Sequence, residues 1–85
     1  MHEQSLMNDL LKKISQIAKA EEANKVLKVK VELGALAHIS PDHFREHFEH
    51  DLKGTIAEGA ELEIIQNNDI HHPRAQDITL LSIDV

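Results

Sequence analysis

Val26-Leu27-Lys28-Val29-Lys30-Val31-Glu32-Leu33 is the stretch whose reading decides the fold. Leu27, Val29, Val31 and Leu33 fall on one side of a period-two alternation, and Lys28, Lys30 and Glu32 on the other. Successive side chains of a strand point to opposite faces, so this pattern predicts a strand with one buried and one wet face. Gly34 ends it, and Ala35-Leu36-Ala37-His38-Ile39 reads as a loop with some apolar anchoring.

Upstream, Leu6, Met7, Leu10, Leu11, Ile14, Ile17 and Ala18 recur at the spacing of one helical face, with Asn8, Asp9, Lys12, Lys13, Gln16 and Lys19 on the other. The spacing predicts a helix from Leu6 to about Glu22, with Asn24 as its left-handed stop. Downstream, Ser40-Pro41-Asp42 starts a second helix: Ser as N-cap, Pro in the first helical position and an acid in the first turn. It runs to about Leu52, carries Phe44, Phe48 and Leu52 as an inward stripe, and closes at Gly54. Ala60 to Ile65 is a second strand, with Leu62 and Ile64 inward and Glu61 and Glu63 outward. Residues 66–77 form a polar loop, and Ile78 to Val85 is a third strand. The alternation of that strand changes phase, which a bulge near Leu80-Leu81 reconciles.

The order is therefore helix, strand, helix, strand, strand. A crossover helix between the first two strands places them parallel and in right-handed sense, leaving the third antiparallel to a neighbour. The expected fold class is α+β: a two-layer domain with a three-stranded mixed sheet and both helices on one face. Leu10, Ile14, Ile17, Val29, Val31, Phe44, Phe48, Leu62, Ile64 and Ile83 should be mostly buried. The other sheet face, with Lys28, Lys30, Glu32, Glu61 and Glu63, is left to water or a partner.

Composition narrows the function. Eighty-five residues make one small domain (1–85), and its two aromatics, both Phe, leave an aliphatic core. There is no cysteine, hence no disulfide, no thiolate metal site and no thiol nucleophile, a composition that suits the cytoplasm. No stretch has the length of a membrane-spanning helix, and the N-terminus is unlike a signal peptide. A net charge of −6, with no basic stripe, disfavours nucleic acid and the cytoplasmic membrane face. No nucleophile–base pairing and no Gly-rich phosphate loop is present, so no enzyme activity is expected.

Seven histidines in so short a chain are the unusual feature. Met1-His2-Glu3 is a ready chelate: the α-amine, the deprotonated backbone nitrogen and imidazole of His2, and the backbone nitrogen of Glu3 close a plane of four nitrogens. That plane suits Ni(II) or Cu(II), whereas Zn(II) prefers a tetrahedron. The first N–H groups of a helix have no intrahelical acceptor, so using them as ligands breaks no helical bond. The competing reading is an exposed histidine beside a start methionine. His43, His47 and His50 share one face of the second helix, and two imidazoles four apart can clamp a metal; a solvated histidine face is the alternative. His71-His72 is either an extra nickel-retaining pair or an ordinary loop. His38 receives no role.

Met1-His2-Glu3-Gln4-Ser5-Leu6, Val31-Glu32-Leu33-Gly34-Ala35-Leu36, the run from Gly54 to Ile64, and Leu81-Ser82-Ile83-Asp84-Val85 together resemble the HypA/HybF family of nickel metallochaperones of hydrogenase and urease maturation. The resemblance covers nearly everything except 66–76. It implies a protein that carries Ni(II) on Met1, His2 and Glu3 and passes it to a nickel enzyme precursor, working with a HypB-type GTPase. Members of that family insert a zinc domain with two Cys-x-x-Cys pairs between the second and third strands. Here the loop 66–77 stands in its place, so no zinc is expected, and Gly34-Ala35-Leu36 replaces the family's Gly-Glu-Leu. The second reading, from a different class, is a non-metal protein-interaction module that kept the fold and lost nickel delivery.

Overall fold

The structure is a computed structural model that describes the backbone of residues 3–85 and the side chains of residues 4–85. Its elements follow in the order α1 (Glu3–Ala20), β1 (Lys28–Leu33), α2 (Pro41–Leu52), β2 (Glu61–Gln66) and β3 (Ile78–Asp84). The sheet order is β2-β1-β3, with β1 parallel to β2 and antiparallel to β3. Two helices and a three-stranded mixed sheet in the expected order make the α+β domain that the alternation at 26–33 implied.

The ladder explains the phase change in the last strand. Lys30 pairs with Ser82 while Val31 pairs with Leu80, so Leu81 is an extra residue in β3. That bulge lets Ile78 and Ile83 face the same interior although they lie an odd number of residues apart.

Val29, Val31 and Leu33 project from β1 into one core with Met7, Leu10 and Ile14 of α1 and Phe44 and Phe48 of α2. Both helices therefore cover the same sheet face. The opposite face is wet and paired: Lys28 Nζ lies 2.9 Å from Glu63 Oε1 and 3.8 Å from Glu61 Oε2, and Lys30 Nζ lies 3.9 Å from Glu63 Oε2. The hydrogen bond and charge of Glu63 raise the Lys28 pKa above its ordinary value, and Lys28 in turn lowers that of Glu63.

Four sequence expectations need correction. Ile17 is 41% exposed, and Ala18 takes its place in the core. At about 100° per residue, Ala18 lies about 30° from the middle of the Met7–Ile14 row and Ile17 about 70°, so Ala18 is the one that continues the buried row. Leu27 is 53% exposed whereas Val26 is buried. The ladder begins at Lys28, and the Val26 amide is tied instead to the Ile56 carbonyl at 2.9 Å, so Val26 is free of the pleat that would have turned it outward. The left-handed residue after α1 is Glu22, at φ +56°, not Asn24; the Ala23 amide reaches back to the Ala18 carbonyl at 2.9 Å and closes the helix two residues earlier than expected. Ile64 and Ile83, expected to be mostly buried, are half-buried and pack against the margin of the core.

The connection between β2 and β3 is docked. The Asn67 amide donates to the Leu33 carbonyl, the Gly34 amide to the Asp77 carbonyl, and the Leu36 amide to the Ala75 carbonyl at 2.7 Å. Ala75 is buried. Gly34 is required by this approach, because a Cβ there would collide with the Ala75 carbonyl group.

Candidate functional site

Met1, His2 and the side chain of Glu3, the expected nickel ligands, lie outside the described residues. What the structure does define is the surface next to the residue that follows them. Helix α1 begins at Glu3, and Gln4 lies in its first turn.

That turn meets the polar side of α2. Ser40 caps α2 through its hydroxyl, which accepts the His43 amide at 3.1 Å, and Pro41 occupies the first turn. The cap fixes the helical phase. It sends Phe44, Phe48 and Leu52 inward and leaves His43, Glu46, His47 and His50 around an open depression of 430 Å³. The His43 and His47 rings stand edge to face, their centroids 6.2 Å apart.

His47 and Asp51 reach across to α1. His47 Nε2 lies 3.1 Å from Gln4 Oε1, and Gln4 Nε2 donates to Asp51 Oδ2 at 3.2 Å and to Asn8 Oδ1 at 3.0 Å. An amide oxygen only accepts, so the ring proton of His47 must be on Nε2. His47 Nε2 also lies 3.9 Å from Asp51 Oδ2. The side chain of Asp51 is only 17% exposed, which makes this a partly sheltered contact.

The other histidines are placed separately. His71 and His72 sit in the turn after β2, where the Asp69 carboxylate accepts the His71 amide at 2.9 Å and His72 Nδ1 accepts the Arg74 amide at 3.0 Å. His38 adopts φ +60° in the loop before α2. Among the described residues, no three of His, Cys, Asp or Glu are grouped to hold a metal ion. His43–His47 and His71–His72 thus offer at most paired ligands there. A second cavity, 270 Å³ between α1 and the turn after α2, is lined by Leu11, Ile14, Leu52 and Ile56 among others and contains no titratable group.

Sequence reasoning missed Gln4 and Asp51. The His47–Asp51 spacing of four was a legible helical pair. The reach from Gln4 to α2 crosses more than forty residues of chain, and no local pattern encodes it.

Comparison with known proteins places this geometry in context. Residues 1–72 match the family described as "Hydrogenase/urease nickel incorporation, metallochaperone, hypA". The chain is 38% identical over 65 residues to the hydrogenase maturation factor HypA of Acidithiobacillus ferrooxidans, which covers 76% of this chain and 58% of that protein. It is 40% identical over 65 residues to the factor of the same name from Dechloromonas aromatica, with the same coverage. The archaeal counterpart from Archaeoglobus fulgidus is 39% identical over 64 residues, covering 75% and 58%. The chain thus spans less than two thirds of the length of these relatives. The solution structure of the Ni metallochaperone HypA from Helicobacter pylori superimposes with a TM-score of 0.79 at 19% identity, covering 99% of this chain and 97% of that one. That likeness is one of fold. No helix among the described residues is long and apolar enough to cross a membrane.

Proposed function

The chain belongs to the HypA family of nickel-incorporation metallochaperones, and from that premise we propose that it holds Ni(II) on Met1, His2 and Glu3 and hands it to a nickel enzyme precursor. The family is one of maturation factors, not of catalysts. A HypB-type GTPase is the partner in this reading, and the setting is cytoplasmic. Nickel is cargo: it is taken up and released, and nothing in the fold depends on it.

One observation supports the site above the others. Helix α1 starts at Glu3, directly behind Met1-His2. Peptide nitrogens ahead of and within a helical first turn have no intrahelical acceptor to lose, so they are available as ligands at no cost in helical hydrogen bonds. The donor set is amine, amide and imidazole, all nitrogen, which favours a planar Ni(II) complex over tetrahedral Zn(II). Without cysteine the chain lacks the thiolates of a Cys-x-x-Cys zinc site. The segment 66–77, in the same proposal, stands where the family carries its zinc domain.

Titration of protein with a free Met1 amine tests the reading. One Ni(II) per chain should bind in a yellow, diamagnetic, planar complex, more tightly as pH rises, because amine, imidazole and amide protons must leave before coordination. His2→Ala, or one residue added before Met1, should abolish tight binding without changing the circular dichroism spectrum. Equally tight, octahedral binding by the extended protein would move the metal to a histidine face and overturn the assignment. No nickel binding by the unextended protein would leave the interaction-module reading.

A further inference from the structure

We infer that His47 and Asp51 of α2 are positioning residues for the N-terminal nickel site, acting through the side chain of Gln4. The inference rests on the nickel reading above and adds to it a part of the chain far in sequence from Met1-His2-Glu3.

Gln4 is joined covalently to Glu3, the last residue of the proposed ligand motif. Its amide is held at both ends. The oxygen takes the Nε2 proton of His47 at 3.1 Å, and the nitrogen donates to Asp51 at 3.2 Å while also reaching Asn8 within its own helix. A primary amide gripped by a donor and an acceptor on one neighbouring helix has its position and orientation fixed together. The first turn of a helix is otherwise its least constrained part, because its amides have no intrahelical partners. The clamp therefore does for the first turn of α1 what its own backbone cannot do.

The arrangement also assigns the histidine face of α2. With Nε2 donating to Gln4, that nitrogen has no lone pair to offer a metal, and through it His47 serves as a clamp. His43, edge-on to His47 at 6.2 Å between centroids, backs the ring from the side. A chelate whose anchor is already ordered loses less freedom on binding its metal, and the observed affinity rises by the fraction of molecules already in the competent arrangement.

Competition titration with a chromophoric nickel chelator tests this on the full chain. His47→Ala should weaken nickel binding about threefold to tenfold, the range for losing one intramolecular hydrogen bond, while the planar spectrum persists. His47→Gln, whose amide can still donate to Gln4, should recover most of that loss. Gln4→Leu should weaken binding similarly, and the double variant Gln4→Leu/His47→Ala should be no weaker than either single one. Circular dichroism of each variant should match the parent. Unchanged affinity in His47→Ala, or additive losses in the double variant, would overturn the positioning role. The unsubstituted protein extended by one residue before Met1 separates the two levels. If extension leaves binding intact, the N-terminal site itself is wrong and this inference falls with it. If extension abolishes binding and His47→Ala does nothing, only the clamp is wrong.

Discussion

The two sides of α2 are interleaved in one twelve-residue run, yet they answer to different constraints. Phe44, Phe48 and Leu52 are 0%, 0% and 2% exposed, and the two rings stack with centroids 5.1 Å apart. His43, His47 and His50 look outward; His47 meets Gln4 in the first turn of α1, and its ring stands edge to face with that of His43. A narrow apolar stripe is enough to seat a helix on a sheet. The remaining surface is then free to carry chemistry, at little cost to the fold. What the inner side contributes is dispersion and burial, spread over many contacts. The outer side contributes a few directional bonds.

The sharpest way to break this contrast is on the inner side. Phe48→Ala should cost about 3–5 kcal/mol of stability, the usual range for a core Phe truncation, measured by urea unfolding. Nickel affinity per folded molecule should be unchanged. A small loss would mean that the ring is not the centre of the packing. On the outer side, the double variant His43→Ala/His50→Ala should stay within about 0.5 kcal/mol of the parent, as surface changes do. It should keep one nickel per chain; loss of that equivalent would bring these rings into the metal site.

The smallest effect belongs to the same contrast in β1, whose outward Lys28 meets Glu63 at 2.9 Å. The Glu63 carboxyl is lowered from its ordinary value of 4.5 by the hydrogen bond and charge of Lys28. Its contribution to stability is therefore complete above pH 4.5 and is lost as pH falls through the lower, folded-state value. Lys28 is raised from 10.5, so its share is present below that pH and lost as pH rises past it. Both groups face water, and exposed pairs contribute little. Glu63→Gln should flatten the acid limb of the thermal-midpoint-against-pH curve and leave the neutral plateau in place. A drop on the plateau would show that the wet face carries more than solvent.

The same division explains how far the chain could be read in advance. Repeating features were legible: the alternation in β1, the Ser40-Pro41 cap, the Phe44/Phe48/Leu52 stripe, and even the phase slip that places Leu81 as a bulge. Periodicity and cap chemistry are local, and they act wherever the residues occur. Element margins were less legible. Val26 and Leu27 exchange roles because a bond to Ile56, thirty residues away, outranks the alternation. Of the site, the Met1-His2-Glu3 motif could be read because its chemistry is contiguous. The Gln4–His47–Asp51 contact could not, since only the packing of α1 beside α2 brings its members together.

The docked connection between β2 and β3 has a consequence for the plasticity of the architecture. Its first amide, that of Asn67, bonds to the Leu33 carbonyl, and its last carbonyl, that of Asp77, takes the amide of Gly34. Entry and exit are thus pinned to the last residue of the central strand and the one after it, about two interstrand spacings, or roughly 10 Å, apart. Chain spliced between these two points begins and ends at nearly the same place, whatever its size. Closing a loop grows costlier only slowly with length, by about 0.6 kcal/mol per doubling. The sheet therefore has a port at which a whole module can be gained or shed while β1, α1 and α2 keep their places. A reporter domain with adjacent termini, grafted between Asn67 and Asp77, should ride on the protein without disturbing the helix that opens the chain.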